Sequence, residues 1–131
     1  EYDDVVEDVI EELEERVLLA EKAGLDRERI IVDPGLGFGK SAAESFELLG
    51  RTGELHGLDC PVLVGHSHKS MFGLVDREAG ERGSATVAGT AIAAERGADI
   101  VRVHDVKENV AAVRAVEAAG SPESFADERG D

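Results

Sequence analysis

The chain has 131 residues, the length of a single domain, and its 42% hydrophobic content is sufficient for a core. A formal net charge of −15 argues against nucleic acid and anionic membranes as partners, because both repel an acidic surface. No apolar run approaches the roughly 20 residues that cross a bilayer. Such an acidic surface is typical of halophilic proteins, in which high salt screens the self-repulsion.

The single cysteine, Cys60, cannot form an intramolecular disulfide and suits a reducing cytoplasm. We expect it to be a small buried side chain beside a strand. Because the first residue is Glu rather than Met, we expect the chain to be part of a longer protein or a processed product.

The apolar pattern predicts one helix followed by three strand–helix units. The first helix, 3–23, carries apolar residues at helical spacing and ends before Gly24. Continuous apolar runs predict strands at 29–32, 61–65 and 99–103. The helices that follow them are predicted at 42–56, 84–96 and 106–119. Apolar strands that alternate with helices indicate an α/β fold with a parallel sheet covered by helices.

Two of the predicted helices begin with the spacing of a capping box, Ser41 with Glu44 and Asp105 with Glu108. Gly120 is predicted to end the last helix. Residues 1–120 then form one domain, and residues 121–131 form an acidic tail that we expect to be disordered.

Polar side chains follow each predicted strand at the point where it ends. Asp33 follows the first strand, residues 67–69 follow the second, and Arg102 and His104 lie at the end of the third. Parallel sheets and barrels place their ligand site at the carboxyl ends of the strands. The three polar clusters are therefore expected to surround one ligand-binding opening at the strand ends, the mouth of the site.

Residues 33–41 form a glycine-rich turn between the first strand and its helix. Three glycines allow the backbone to approach a ligand closely and to turn N–H groups toward an anion. The end of this segment resembles a P-loop, but Pro34 stands where the first glycine of that motif belongs. A tight turn without a ligand is the other alternative.

A zinc site is a further alternative, because Asp33, His66, His68 and His104 all lie near strand ends. His66 and His68 occupy alternate positions and would point the same way. No tighter ligand spacing supports zinc, and we expect no metal ligand in this chain. Acyl transfer is disfavoured because no nucleophile elbow is present.

Three signatures in this order and spacing resemble dihydropteroate synthase over about residues 28–119. They are Asp33-Pro34-Gly35-x-Gly37-Phe38-Gly39-Lys40, Gly65-x-Ser67-x-Lys69-Ser70 and Val101-Arg102-Val103-His104-Asp105-Val106. The resemblance implies a TIM (β/α)8 barrel, of which this chain holds the last three strands and their helices. It implies a transferase of folate biosynthesis that joins 6-hydroxymethyl-7,8-dihydropterin diphosphate to p-aminobenzoate and releases diphosphate with Mg²⁺ assistance.

The resemblance also implies roles for individual residues. Asp33 would accept hydrogen bonds from the pterin, and Lys69 would donate to the pterin carbonyl and a ring nitrogen. Arg102 would lie over the pterin plane and, with His104, hold the leaving diphosphate, so that Lys69, Arg102 and His104 are the catalytic candidates. The remaining substrate-binding positions are Gly37, Phe38 and Ser67. Ser67 and Phe38 would lie near the aminobenzoate, and Phe38 would form an apolar wall there.

Two departures from the family pattern bear on these expectations. His68 stands where the family usually has Arg, which affects binding of the aminobenzoate carboxylate and the pH optimum. A complete barrel takes about 250 residues, so we expect the Mg²⁺ ligands in a missing amino-terminal part and a homodimer when complete. Alternatives are another pterin-binding barrel, such as a methyltetrahydrofolate methyltransferase, and a non-catalytic binding or assembly module.

Overall fold

The computed structural model describes residues 3–67, 69–75 and 82–126. The α-helices are α1 (Val5–Lys22), α2 (Ala42–Gly50), α3 (Arg82–Glu95), α4 (Val106–Gly120) and α5 (Glu123–Ala126). The strands are β1 (Leu63–Val64) and β2 (Ile100–Val101), and 3-10 turns occur at Arg27–Arg29, Thr52–Leu58 and Ser70–Leu74.

The first helix agrees with the prediction to within two residues at its start and one at its end. Asp4 caps α1, because its Oδ1 accepts from the backbone N–H groups of Val6 at 3.0 Å and Glu7 at 3.1 Å. The chain leaves the helix through Gly24, whose φ of +106° is in the left-handed region that favours glycine. The valines of α1 are buried in the core, so the apolar stripe in the sequence is the packed face of the helix.

The predicted capping box of α2 is confirmed. Ser41 Oγ accepts from the Glu44 N–H at 3.1 Å, and Glu44 Oε1 accepts from the Ser41 N–H at 2.8 Å. The predicted end at residue 56 is wrong, because α2 stops at Gly50 and the chain continues as a 3-10 turn. The buried Thr52 hydroxyl donates to the Leu49 carbonyl at 2.7 Å, and this side-chain bond competes with the helical backbone pattern.

The three predicted strands lie side by side and parallel, in chain order. Leu63 is opposite Ile100, and Val64 is opposite Val101, while the first strand contributes one parallel bridge between Val32 and Val62. The paired parts are shorter than predicted. One reason is that the Val62 N–H donates to the Asp99 carboxylate at 2.9 Å. A side chain thus takes the place of a backbone carbonyl as the acceptor at this point of the sheet.

The two faces of this small sheet differ in burial. Val32, Val62 and Val64 are at most 3% exposed and pack with the helices in the hydrophobic core. Ile31 is 53% and Ile100 is 38% exposed, and both belong to the opposite face by the two-residue period of a strand. Parallel sheets are normally covered on both faces. One face of this sheet therefore lacks a covering layer within the part of the chain that is described.

The carboxyl-terminal helices require two corrections. The second predicted capping box is wrong, since the side chain of Asp105 makes no cap hydrogen bond. The start of α4 is instead braced from inside the helix, where Asn109 Nδ2 donates to the Asp105 carbonyl at 2.7 Å. Helix α5 lies inside the segment 121–131 that was expected to be disordered, whereas residues 127–131 lie outside the described residues. The boundary of the domain at residue 120 stays a prediction.

Among the described residues, no helix combines the length and the apolar character that a membrane crossing requires.

Candidate functional site

The glycine-rich turn is shaped by positive φ angles and by hydrogen bonds inside the turn. Gly35 and Gly37 have φ values of +72° and +87°, which other residues rarely adopt. The Gly35 N–H donates to Asp33 Oδ1 at 2.8 Å, and the Gly37 N–H donates to Ser45 Oγ at 3.0 Å. The expectation that these N–H groups face an anion is therefore wrong for Gly35 and Gly37, because both have partners in the protein.

Lys40 stabilises the same turn. Its Nζ donates to the carbonyl oxygens of Gly35 and Phe38, each at 3.0 Å. A P-loop lysine has to reach a nucleotide phosphate, whereas this ammonium is held by two backbone carbonyls. The contacts of Lys40 thus favour a structural role over the P-loop interpretation.

Lys69 connects the second polar cluster to the glycine-rich turn. Its Nζ donates to the Leu36 carbonyl at 2.7 Å and lies 4.7 Å from the centroid of the Phe38 ring. Burial lowers the pKa of Lys69, the charges of Arg102 and Lys40 lower it further, and the Asp33 carboxylate opposes the shift. The ammonium therefore lies within electrostatic reach of both other strand ends.

Arg102 extends from the end of β2 toward the first strand. Its Nη1 is 3.9 Å from Asp33 Oδ2, and its side chain is 62% exposed. The guanidinium lies directly over the backbone of Gly65, where a Cβ atom would be 2.8 Å from the guanidinium carbon. From the sequence, Gly65 is the last residue of the second predicted strand and the first residue of the second signature, and no contact with Arg102 is predicted for it.

Ser67 and His104 form a direct contact between the second and third strand ends. Ser67 Oγ is 2.7 Å from His104 Nδ1 and accepts from the His104 N–H at 3.1 Å. Both residues border a cavity of about 290 Å³. The cavity is lined by Gly65, Ser67, Lys69, Arg102, Val103 and His104. The second and third polar clusters therefore border one cavity, and Asp33 of the first cluster lies 3.9 Å from the Nη1 of Arg102 in its lining.

The described residues of the zinc alternative do not form a metal site. His66 is fully buried with its Nε2 against Thr86 and Thr90 of α3, and His68 lies outside the described residues. Over residues 3–67, 69–75 and 82–126 no three His, Cys, Asp or Glu side chains are grouped so that they could hold a metal ion. Within the same residues no group of three or more such side chains is placed to hold Mg²⁺ either.

The fold and the mouth together define a parallel α/β protein with a pocket at the strand ends that two cations, Lys69 and Arg102, line, and with the Asp33 carboxylate 3.9 Å from Arg102. This combination suits a ligand that offers hydrogen-bond donors to the carboxylate and negative charge to the cations. The chain belongs to the pterin binding enzyme family, whose sequence profile matches residues 1–104.

Particular relatives agree with this assignment. The chain is 71% identical over 125 residues to a probable bifunctional folylpolyglutamate synthase/dihydropteroate synthase of Haloferax volcanii. The aligned residues are 95% of this chain and 15% of that protein. It is 47% identical over 118 residues to the dihydropteroate synthase of Escherichia coli, covering 89% of the chain and 42% of that enzyme. The chain spans less than half the length of these curated relatives.

Solved structures of dihydropteroate synthases have the same fold as this chain. The Yersinia pestis enzyme, in a complex with a sulfonamide drug, matches with a TM-score of 0.88 and 41% identity over 93% of this chain and 45% of that one. The Xanthomonas albilineans enzyme in complex with 7,8-dihydropteroate matches with a TM-score of 0.88 and 43% identity, over 92% of this chain and 47% of that one.

Proposed function

We propose that this chain is the carboxyl-terminal part of a dihydropteroate synthase and carries half of its substrate site. The observation that carries the proposal is the convergence of Asp33, Lys69 and Arg102, which come from three successive strand ends. The substrates would be 6-hydroxymethyl-7,8-dihydropterin diphosphate and p-aminobenzoate, as the names of the relatives suggest.

The pterin is assigned to Asp33 and Lys69. The Gly35 N–H holds Asp33 Oδ1, which leaves Oδ2 as an acceptor for the ring N–H and amino groups of the pterin. An ammonium has three donors, and Leu36 takes one of those of Lys69. Two donors remain for the pterin carbonyl and a ring nitrogen.

The leaving diphosphate is assigned to Arg102 and His104. In the reaction, the amino nitrogen of p-aminobenzoate forms a bond to the pterin methylene carbon while the bond from that carbon to the diphosphate oxygen breaks. The electron pair passes to the diphosphate, and the amine loses a proton. Because negative charge develops on the departing oxygens, cationic donors aimed at them lower the barrier.

The aminobenzoate is assigned to the outer part of the mouth. Phe38 is 71% exposed and provides an apolar wall beside Lys69. Gly37 is next to Phe38 in the chain, and a Cβ on Gly37 would be 3.6 Å from Cδ of the Lys69 side chain.

Ser67 orients the imidazole of His104 through Nδ1, and the Nε2–H of that ring is assigned to a diphosphate oxygen.

The chain is assigned to the last three strands of a (β/α)8 barrel, with the remaining strands outside it. The exposed sheet face with Ile31 and Ile100 supports this assignment, because the interior of a barrel is filled by side chains from all strands. An apolar cleft of about 380 Å³ beside β2 gives further support. Its apolar lining consists of Val101, Val103, Val106, Val110 and Val113.

The remaining parts of the proposal concern the complete enzyme. Mg²⁺ would be bound by residues of the missing part, and the complete enzyme would be a cytoplasmic homodimer. The net charge of −15 supports the absence of nucleic acid and membrane partners and a function at high salt.

The proposal can be tested in a hybrid protein, in which this chain replaces the matching segment of the Haloferax volcanii relative. Formation of dihydropteroate is measured at high salt for the hybrid protein, for its Arg102→Ala variant and for Arg16→Ala, an exposed arginine on α1, as control. We expect Arg102→Ala to lower kcat/KM at least about 100-fold, or about 2.7 kcal/mol. Its melting temperature should match that of the control.

Turnover by Arg102→Ala equal to that of the control would remove the guanidinium from the mechanism. A folded hybrid that binds dihydropterin diphosphate without forming product would favour the non-catalytic alternative instead.

A further inference from the structure

A chain of buried polar side chains runs behind the mouth, and its side-chain hydrogen bonds lead to α3 and α4. It consists of His66 after β1, Thr90 on α3 and Asn109 on α4, which are at most 2% exposed. We propose that His66, Thr90 and Asn109 are positioning residues that hold Ser67 and His104 in register, an inference that rests on the proposed synthase function.

The donor and acceptor of each hydrogen bond between His66, Thr90 and Asn109 follow from the Asp105 carbonyl, where the series ends. The Asp105 carbonyl can only accept, so Asn109 Nδ2 donates to it at 2.7 Å, and Asn109 Oδ1 then accepts from the Thr90 hydroxyl at 2.5 Å. The Thr90 oxygen, having donated its hydrogen, accepts from His66 Nε2 at 2.7 Å. His66 therefore carries its hydrogen on Nε2, which also lies 3.1 Å from the Thr86 carbonyl.

The His66 ring is held in place by packing as well. Gly89 of α3 lies so close that a Cβ there would be 3.0 Å from His66 Cδ2. The ring of Phe72 packs edge-on against the imidazole, with 6.2 Å between the centroids. Burial lowers the pKa of His66, which favours the neutral ring, and the hydrogen-bond pattern places the hydrogen of that ring on Nε2.

Two connections consequently join the same two strand ends. The first is the direct contact between Ser67 and His104, and the second is the buried chain that begins at the preceding residue, His66, and ends at the following residue, Asp105. The second connection passes through α3 and α4. A shift of α4 or of the 102–105 segment is thereby coupled to the position of the Ser67 hydroxyl, which orients His104.

A positioning role and a merely structural role differ in their kinetic consequences. A structural network stabilises the fold, and its loss lowers the melting temperature while the folded enzyme keeps its kinetic constants. A positioning network acts on the placement of Ser67 and His104, so its loss lowers kcat in protein that is still fully folded.

The test uses the hybrid protein with Thr90→Val, which keeps the shape and removes the hydroxyl, and with Thr90→Ser, which keeps the hydroxyl. We expect Thr90→Val to lower kcat about 10-fold with KM for p-aminobenzoate within about twofold of the parent value. Thr90→Ser, which keeps the hydroxyl, should have a kcat within about twofold of the parent value. Circular dichroism at the assay temperature verifies that each variant is folded.

Asn109→Leu is a second variant that interrupts the chain at its other end, and we expect the same fall in kcat. Parent kinetic constants in folded Thr90→Val or Asn109→Leu would overturn the positioning role, as would loss of folding in both variants, which would make the network a structural requirement. These outcomes leave the proposed function intact, whereas absence of synthase activity in the parent hybrid counts against the proposed function itself.

Discussion

Substitution of Gly65 by alanine tests whether the placement of Arg102 matters for turnover. The new Cβ would be 2.8 Å from the Arg102 guanidinium carbon and 3.2 Å from its Nε. At a normal contact distance of about 3.5 Å between carbon atoms, the guanidinium has to move by about 0.7 Å or more. The backbone at Gly65 does not have a positive φ, so the alanine itself introduces no strain of that kind.

The expected magnitude follows from this displacement. A misplacement of about 1 Å in a catalytic group costs about 100-fold in rate, so we expect kcat/KM of the hybrid protein to fall between about 10- and 100-fold. This corresponds to about 1.4–2.7 kcal/mol of transition-state stabilisation. Because the Arg102 side chain is 62% exposed, the guanidinium can move into solvent. The free energy of unfolding should therefore change by less than about 1 kcal/mol.

The assay is steady-state formation of dihydropteroate at high salt, with Gly57→Ala as a matched control. A Cβ at Gly57 would have no neighbour within 4 Å, so this variant should retain parent kcat/KM. In the Arg102→Ala background, Gly65→Ala should cause no additional loss, because the displaced group is already absent. Parent kcat/KM in Gly65→Ala, or an equal loss with and without Arg102, would refute the reasoning.

Two further predictions concern neighbouring positions. The lowered pKa of Lys69 means that the folded protein releases the ammonium proton at a pH below the ordinary lysine range. Between the lowered pKa and the ordinary one, the unfolded chain binds more protons than the folded chain, so the free energy of unfolding rises with pH. Affinity for the dihydropterin falls over the same pH interval, because the ammonium donors are lost. Calorimetric titration of the hybrid protein from neutral to alkaline pH checks this, and an affinity that is constant until the ordinary lysine range would contradict it. His68→Arg restores the family pattern and should lower KM for p-aminobenzoate without loss of folding. A collapse of the cooperative thermal transition would instead make His68 structural.

The features that the sequence predicted correctly depend on short-range pattern. The valines of α1, the reciprocal spacing of Ser41 and Glu44, and the stop at Gly24 are local, and the structure agrees with each of them. The parallel pairing of β1 with β2 also followed from pattern, because apolar strands that alternate with helices favour a parallel sheet.

The features that sequence pattern left open depend on which of several possible hydrogen-bond partners a polar side chain takes. Asp105 has the residue type and spacing of a helix cap, yet its side chain does not cap α4. Lys40 has the place of a phosphate-binding lysine, yet two carbonyls of its own turn hold it. Residue type and spacing do not specify that choice, because it depends on the exact geometry of the folded turn or helix end.

The sequence by itself determined that this is a parallel α/β chain whose polar side chains gather at the ends of three strands, because strand periodicity and helix caps are local properties. The tertiary structure alone decided that Arg102 lies over Gly65 and that His66 turns away from the mouth toward α3. Both outcomes depend on the packing of side chains that are far apart in the chain. The periodicity of a single helix or strand contains no information about such contacts.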